Sequence, residues 1–326
     1  MRVVVVVLSL LISSLAWGDP QLDVHILDNG LKAGIVNTGS SHVLIELRVG
    51  AGFIDEGPSE TGVAHWLEHG VFRGTPRFPT KQLFEKELKR LGIQYNASTT
   101  FERTNFFFIA PKENLKAALE LFAEMIGRPV LDPKAMKDEL EPVKQEALRD
   151  QVNAQFDLFM ASLSLHAKTP RMAQPMTGTV EQMDTQSGEL PRKFHDRWYS
   201  SDNITVAVVG GVDDVDAART LIDKVFGTFG KFITPPRGSF KDEIKIAKDY
   251  KMYKVKAEPG SRRLLNVAFP IEYNMQNWAA ATLFADYLNR EDSALSMLTD
   301  AGLAESAGVS VDTFQDVIYV RMIIDL

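Results

Sequence analysis

The chain has 326 residues, 45% of them hydrophobic and 24% charged, with a formal net charge of −7 and no cysteine. This is a globular composition with length for about two domains, and the negative balance, without any Lys/Arg-rich block, speaks against a nucleic-acid partner. The lack of cysteine excludes disulfides and thiolate ligands, so a metal site must be built from His and carboxylate.

The N-terminus reads as a secretory signal peptide over residues 1–18. Met1-Arg2 is a short positive start, Val3 to Leu15 is almost wholly apolar, and Ala16-Trp17-Gly18 puts small residues at −3 and −1 of a cut before Asp19. The competing reading is an uncleaved anchor. No other long apolar run follows, so no stable membrane insertion is expected after cleavage. A bacterial-style signal without disulfides points to the periplasm, or to secretion beyond it.

After the signal, Leu22 to Leu27 alternates as a strand, Asp28-Asn29-Gly30 is a hairpin turn, and Leu31 to Val36 returns. Val43 to Val49 is a third strand. A loop with Asp55, Gly57 and Pro58 leads to a short apolar helix, for which Ser59 or Thr61 is the expected cap. Thr80 to Leu91 is a second helix, capped by Thr80 and stopped by Gly92. Ile93 to Ser98 and Thr104 to Ile109 read as paired strands, and Pro111 to Met125 as an amphipathic helix. One long helix is expected from about Lys134 to His166, then a loop-rich stretch to Gly188. Leu190 to Tyr199 is expected as helix, Ile204 to Val209 as strand and Asp213 to Phe226 as helix.

Residues 231–238, with Pro235-Pro236, read as a linker. Beyond it the strand-loop-helix order of Val43 to Val71 returns in Leu264 to Leu288, without histidines on the helix. The reading is therefore a unit over 19–230 and a second, incomplete repeat over 239–326 that lacks the metal motif. The last nine residues form a strand with no closing element, as expected of the N-terminal portion of something longer.

The short apolar helix carries His65-Trp66-Leu67-Glu68-His69. Residues i and i+4 share a helix face, so both imidazoles aim at one point and Glu68 overhangs it. Two neutral imidazoles suit zinc, and an adjacent carboxylate can take a proton from water. The same residues also fit a solvated polar face. The bulk of Ala64, Trp66, Leu67, Val71 and Phe72 argues for burial instead, where ionisable groups need a partner or a metal. A catalytic zinc takes three protein ligands. Glu139, Glu141 and Glu146 on the long helix are the candidates for the third, and Glu139 and Glu146 share a face beside Met136, Leu140, Val143 and Ala147. His195 is more simply a packing residue, and His25, His42 and His166 have no metal spacing.

H-x-x-E-H, inverted from the commoner H-E-x-x-H, with Glu146 standing 77 positions after His69, resembles the insulinase-type (pitrilysin, M16) metallopeptidases. The resemblance extends through Thr61 to Gly74, Asn96-Ala97-Ser98-Thr99, Thr104-Asn105-Phe106 and Trp198 to Asn203. It implies an α+β fold: a layered domain with a mostly antiparallel sheet backed by helices, followed by the start of a second homologous domain. It implies one Zn²⁺ per chain held by His65, His69 and Glu146, with Glu68 as general base and Glu139 as the acid that steadies the site. It implies endopeptidase activity on peptides or small unfolded polypeptides, which pair as an added strand beside Asn96 and Ala97. Family members complete the site with an Arg and a Tyr from a second M16-type half or a partner subunit. Tyr319 and Arg321 are not in that context, so the chain alone is expected to be poorly active. The alternative from another class is a non-catalytic partner or binding subunit, but such subunits lack parts of the His/Glu set that is whole here.

Overall fold

The structure is a computed structural model that describes residues 21–151, 154–246 and 263–326. The proposed signal segment lies outside the described residues. Three strands open the fold: β1 (Leu22–Ile26), β2 (Lys32–Asn37) and β3 (His42–Val49). Then come α1 (Val63–Gly70), α2 (Lys81–Arg90), β4 (Gln94–Thr99), β5 (Thr104–Pro111) and α3 (Leu115–Gly127). They are followed by α4 (Pro133–Gln151), α5 (Ala154–His166), α6 (Val180–Thr185), α7 (Leu190–Trp198), β6 (Ile204–Gly210) and α8 (Val215–Phe226).

These strands make one six-stranded sheet in the order β1-β2-β6-β3-β5-β4. All neighbours are antiparallel except β2 and β6. Alternation decides which face is covered. In β3, Val43, Ile45, Leu47 and Val49 are fully buried, as are Phe106 and Phe108 of β5 and Val206 and Val208 of β6. Helices supply the other side of this core through Trp66, Leu67, Phe84, Leu119, Phe122, Phe194 and Phe226. Each such side chain contributes about 1.5–3 kcal/mol on leaving water, and Phe108 stacks on Phe122 with ring centroids 4.3 Å apart.

Beyond residue 238 lie α9 (Phe240–Glu243), β7 (Leu264–Glu272), α10 (Met275–Leu288), α11 (Ser296–Asp300), β8 (Ser306–Thr313) and β9 (Val317–Asp325). Their sheet has the order β7-β9-β8, wholly antiparallel. That repeats the order of β3, β5 and β4, with helices between the first and second strands of each set. The chain is thus an α+β domain followed by a second homologous one. β8 was not expected from the sequence, although Ala307, Val309 and Val311 alternate with Ser306, Gly308, Ser310 and Asp312 as a strand does. α6 also arises where only loop was expected, closed by a capping box between Thr179 and Gln182. The expected long helix is present as α4 and α5.

The two halves share a core. Phe53, Ile54 and Phe101 of the first meet Phe240, Ile244, Val317 and Tyr319 of the second, with Met160, Leu163 and Met172 between them. Among the described residues no helix is long and apolar enough to cross a membrane.

Candidate metal centre and active site

α1 is short, and all of it except His69 is buried. The Trp66 indole fixes it to α4 by donating to the Met136 carbonyl at 3.0 Å. Its N-terminus is not capped by Ser59 or Thr61. The N-cap is Gly62, at φ +84°, and it makes no side-chain cap bond. A side chain there is strained by that φ and meets the Thr177 carbonyl. Two buried amides at the helix start are satisfied by Glu56, whose carboxyl oxygens accept from Gly62 N at 2.8 Å and from Ala64 N at 2.9 Å. Burial pushes that carboxyl well above the usual carboxylate range, against the opposing pull of the two amides. The signal missed in the sequence was an acid six residues before the N-cap, outside any local capping pattern.

His65, Glu68 and His69 place one ligand atom each within 4.8 Å of one another. α4 brings Glu146 to the same place: its Oε2 lies 3.8 Å from His65 Nε2 and 3.4 Å from His69 Nε2. Glu139, one turn pair earlier on α4, lies behind His69, with Oε1 3.5 Å from Nδ1. Its other oxygen accepts from Arg73 at 2.6 Å, and Lys81 lies 3.5 Å away. Glu68 Oε2 accepts from the Thr99 hydroxyl at 2.6 Å.

Protonation follows from these surroundings. Burial, with His69 alongside, pulls His65 down to about 4, so its ring is neutral at pH 7. Burial pushes Glu68 up to about 7, against the opposing pull of Thr99 and His69. Burial alone raises Glu139, but the bonds to His69 and Arg73 and the charge of Lys81 outweigh it and bring the carboxyl to about 2. Burial lowers His69, yet the bond to Glu139 and the charges of Glu68 and Glu146 leave it raised overall.

The donor set fits a single zinc ion: two imidazoles, carboxylates and no thiolate. The observation that tests this is the approach of both Nε2 atoms to one Glu146 oxygen, while the buried His65 Nδ1 has no hydrogen-bond partner among the described residues. His195 takes no part. Its Nε2 pairs with the Ile126 carbonyl at 2.7 Å and its ring stacks on Tyr199.

Asn96 and Ala97 lie on β4, the edge of the first sheet, beside α1. Asn96 is exposed, and its Oδ1 accepts the Ala97 N–H at 2.9 Å.

An inverted H-x-x-E-H helix, buried in an α+β domain and faced by carboxylates from a second helix, defines a metallohydrolase class of site. The chain belongs to the insulinase-type (M16) peptidase family: the model for "Insulinase (Peptidase family M16)" matches residues 34–179, and that for "Peptidase M16 inactive domain" matches 190–325. The second match begins at the first residue of α7 and takes in β6, and apolar residues of both lie in the first core. Mouse insulin-degrading enzyme is 27% identical over 244 residues, covering 71% of this chain and 24% of that one. The chain thus spans about a quarter of the length of that curated relative. The fold is shared with a protease from Helicobacter pylori, at a TM-score of 0.85 and 23% identity over 94% of this chain and 75% of the other. It is shared also with the first half of the periplasmic protease PqqL from Escherichia coli, at 0.72 and 19% over 93% and 68%.

Proposed function

We propose that this chain carries the catalytic zinc site of an endopeptidase acting on peptides or small unfolded polypeptides. The single observation that carries the reading is the convergence of His65 Nε2, His69 Nε2 and Glu146 Oε2 next to the buried Glu68. His65, His69 and Glu146 would hold one Zn²⁺ per chain. Zinc bound there supplies Lewis-acid polarisation of a peptide carbonyl and makes water more acidic. Glu68 then takes the proton of the attacking water on Oε1, since Oε2 is engaged by Thr99. The same carboxyl can return that proton to the leaving amine. Glu139 holds His69 through Nδ1, which leaves Nε2 free for the ligand role.

The substrate pairs with the open edge of β4. It exchanges the local bond between Asn96 and Ala97 for strand bonds, and backbone pairing of this kind tolerates many side chains. The zinc-bearing unit takes in 19–230 and the second repeat 239–326, joined by 231–238. The inclusion of β6, Phe226 and Phe229 in the first sheet and core supports that division. A second M16-type half or subunit supplies the remaining wall of the site. The signal-like N-terminus and the likeness to a periplasmic protease support a periplasmic or secreted location.

Zinc stoichiometry and cleavage of a quenched peptide, for wild type and Glu68→Gln, test the reading. The variant is expected to keep its metal and lose about 10²–10⁴-fold in turnover. Normal cleavage by the variant removes Glu68 from the role of base.

A further inference from the structure

Thr99, which positions Glu68, is the last residue of an edge strand. Edge strands held on one side open readily, so something must fix the end of β4. The turn that follows, residues 100–103, lies on the seam between the two halves. Phe101 is buried there, with its ring centroid 5.3 Å from that of Phe240 and 5.4 Å from that of Phe314, and those two rings stack 3.8 Å apart. Both stacked residues lie beyond the linker. Glu102 is buried beside them and accepts the Gln315 N–H on both carboxylate oxygens, at 2.8 and 2.9 Å. Arg237 donates to the Glu102 carbonyl. From the other side, Phe53 N and Ile54 N donate to the carbonyls of Thr100 and Phe101.

We propose that the β8–β9 hairpin tip, Phe314-Gln315, is a brace that sets the position of Glu68 through the turn at 100–103 and Thr99. Thr99 and Glu102 are then positioning residues. The second half, which has no metal motif, acts on the site without reaching it. The proposal rests on Glu68 being the base. The geometry behind it is continuous: Glu102 stands three residues from Thr99, and the turn between them is closed by Thr100 N donating to Arg103 O at 2.8 Å.

The test uses the full chain, and its primary readout needs no turnover. Hydrogen exchange is followed by mass spectrometry in wild type, Glu102→Ala and Glu102→Gln. Exchange over residues 94–104 is expected to rise about tenfold in Glu102→Ala, with residues 264–272 unchanged. Glu102→Gln keeps one acceptor oxygen and is expected to lie close to wild type. In the peptide assay, Glu102→Ala lowers kcat with KM and zinc content unchanged. The double variant with Thr99→Val is no slower than Thr99→Val alone, because both act by one route. Unchanged exchange over 94–104 overturns the brace, as does full additivity of the two substitutions. Normal cleavage by Glu68→Gln counts against the base assignment, and the exchange result still decides whether the tip holds the strand.

Discussion

The Glu56 carboxylate accepts the Ala64 N–H at 2.9 Å across eight residues of sequence, and so holds the N-terminus of the helix that carries both histidines. Arg171 donates to the Glu56 carbonyl at 2.7 Å and pairs with Glu243, 72 residues further on. The helix start is therefore fixed from outside its own segment.

Replacing Glu56 by Ala leaves the Gly62 and Ala64 amides buried without acceptors. Each unmet buried group costs about 1–3 kcal/mol, so denaturant unfolding of Glu56→Ala should show a loss of several kcal/mol. Glu56→Gln keeps one acceptor oxygen and should lose less. Equal stability of Glu56→Ala and wild type would show that the amides find other partners.

Glu139 and Glu146 should separate by their effect on metal. Glu139→Gln loosens the grip on His69 and is expected to weaken zinc binding about 10–100-fold. Glu146→Gln removes the proposed third ligand and should weaken it more. Chelator competition on the two purified variants measures both. A Glu146→Gln variant with wild-type affinity would move the third ligand elsewhere.

Asp55 gives a pH dependence of stability. Burial raises its carboxyl above the usual range, against Arg237 and the amides of Gly52 and Gly238. The folded state therefore binds the proton more tightly than the unfolded state does. Stability from this group is greatest below the ordinary Asp value of about 3.9 and is lost as pH rises through the raised folded value. Melting wild type against Asp55→Asn across pH 4 to 8 should show the wild type losing ground to the variant as pH rises. A constant difference would mean that Asp55 does not titrate in that range.

The metal motif was legible because it is local. His65, Glu68 and His69 fall on one face by helix periodicity alone, and α1 places them so. Glu146 was one of three candidate acids until the resemblance singled it out, and its approach to both Nε2 atoms depends on how α4 packs against α1. The strands β2, β3, β5 and β6 were legible from apolar alternation, whereas β8 was passed over although Ala307, Val309 and Val311 alternate with small and polar residues along it. The cap of α1 was misread for a physical reason: short-range capping rules look one turn back, and Glu56 reaches in from further away.

By itself the sequence determined the ligand chemistry: two imidazoles one helical turn apart, a carboxylate beside them and no thiol anywhere in the chain. These are properties of residue type and short spacing, which the backbone period converts directly into geometry. Only the tertiary structure decided what holds that geometry in place. Glu139 behind His69, Thr99 on Glu68, Glu56 under the helix start and Glu102 against Gln315 are all contacts between distant segments. They exist because the sheet and the shared core between the halves bring those segments together, and no local period encodes them.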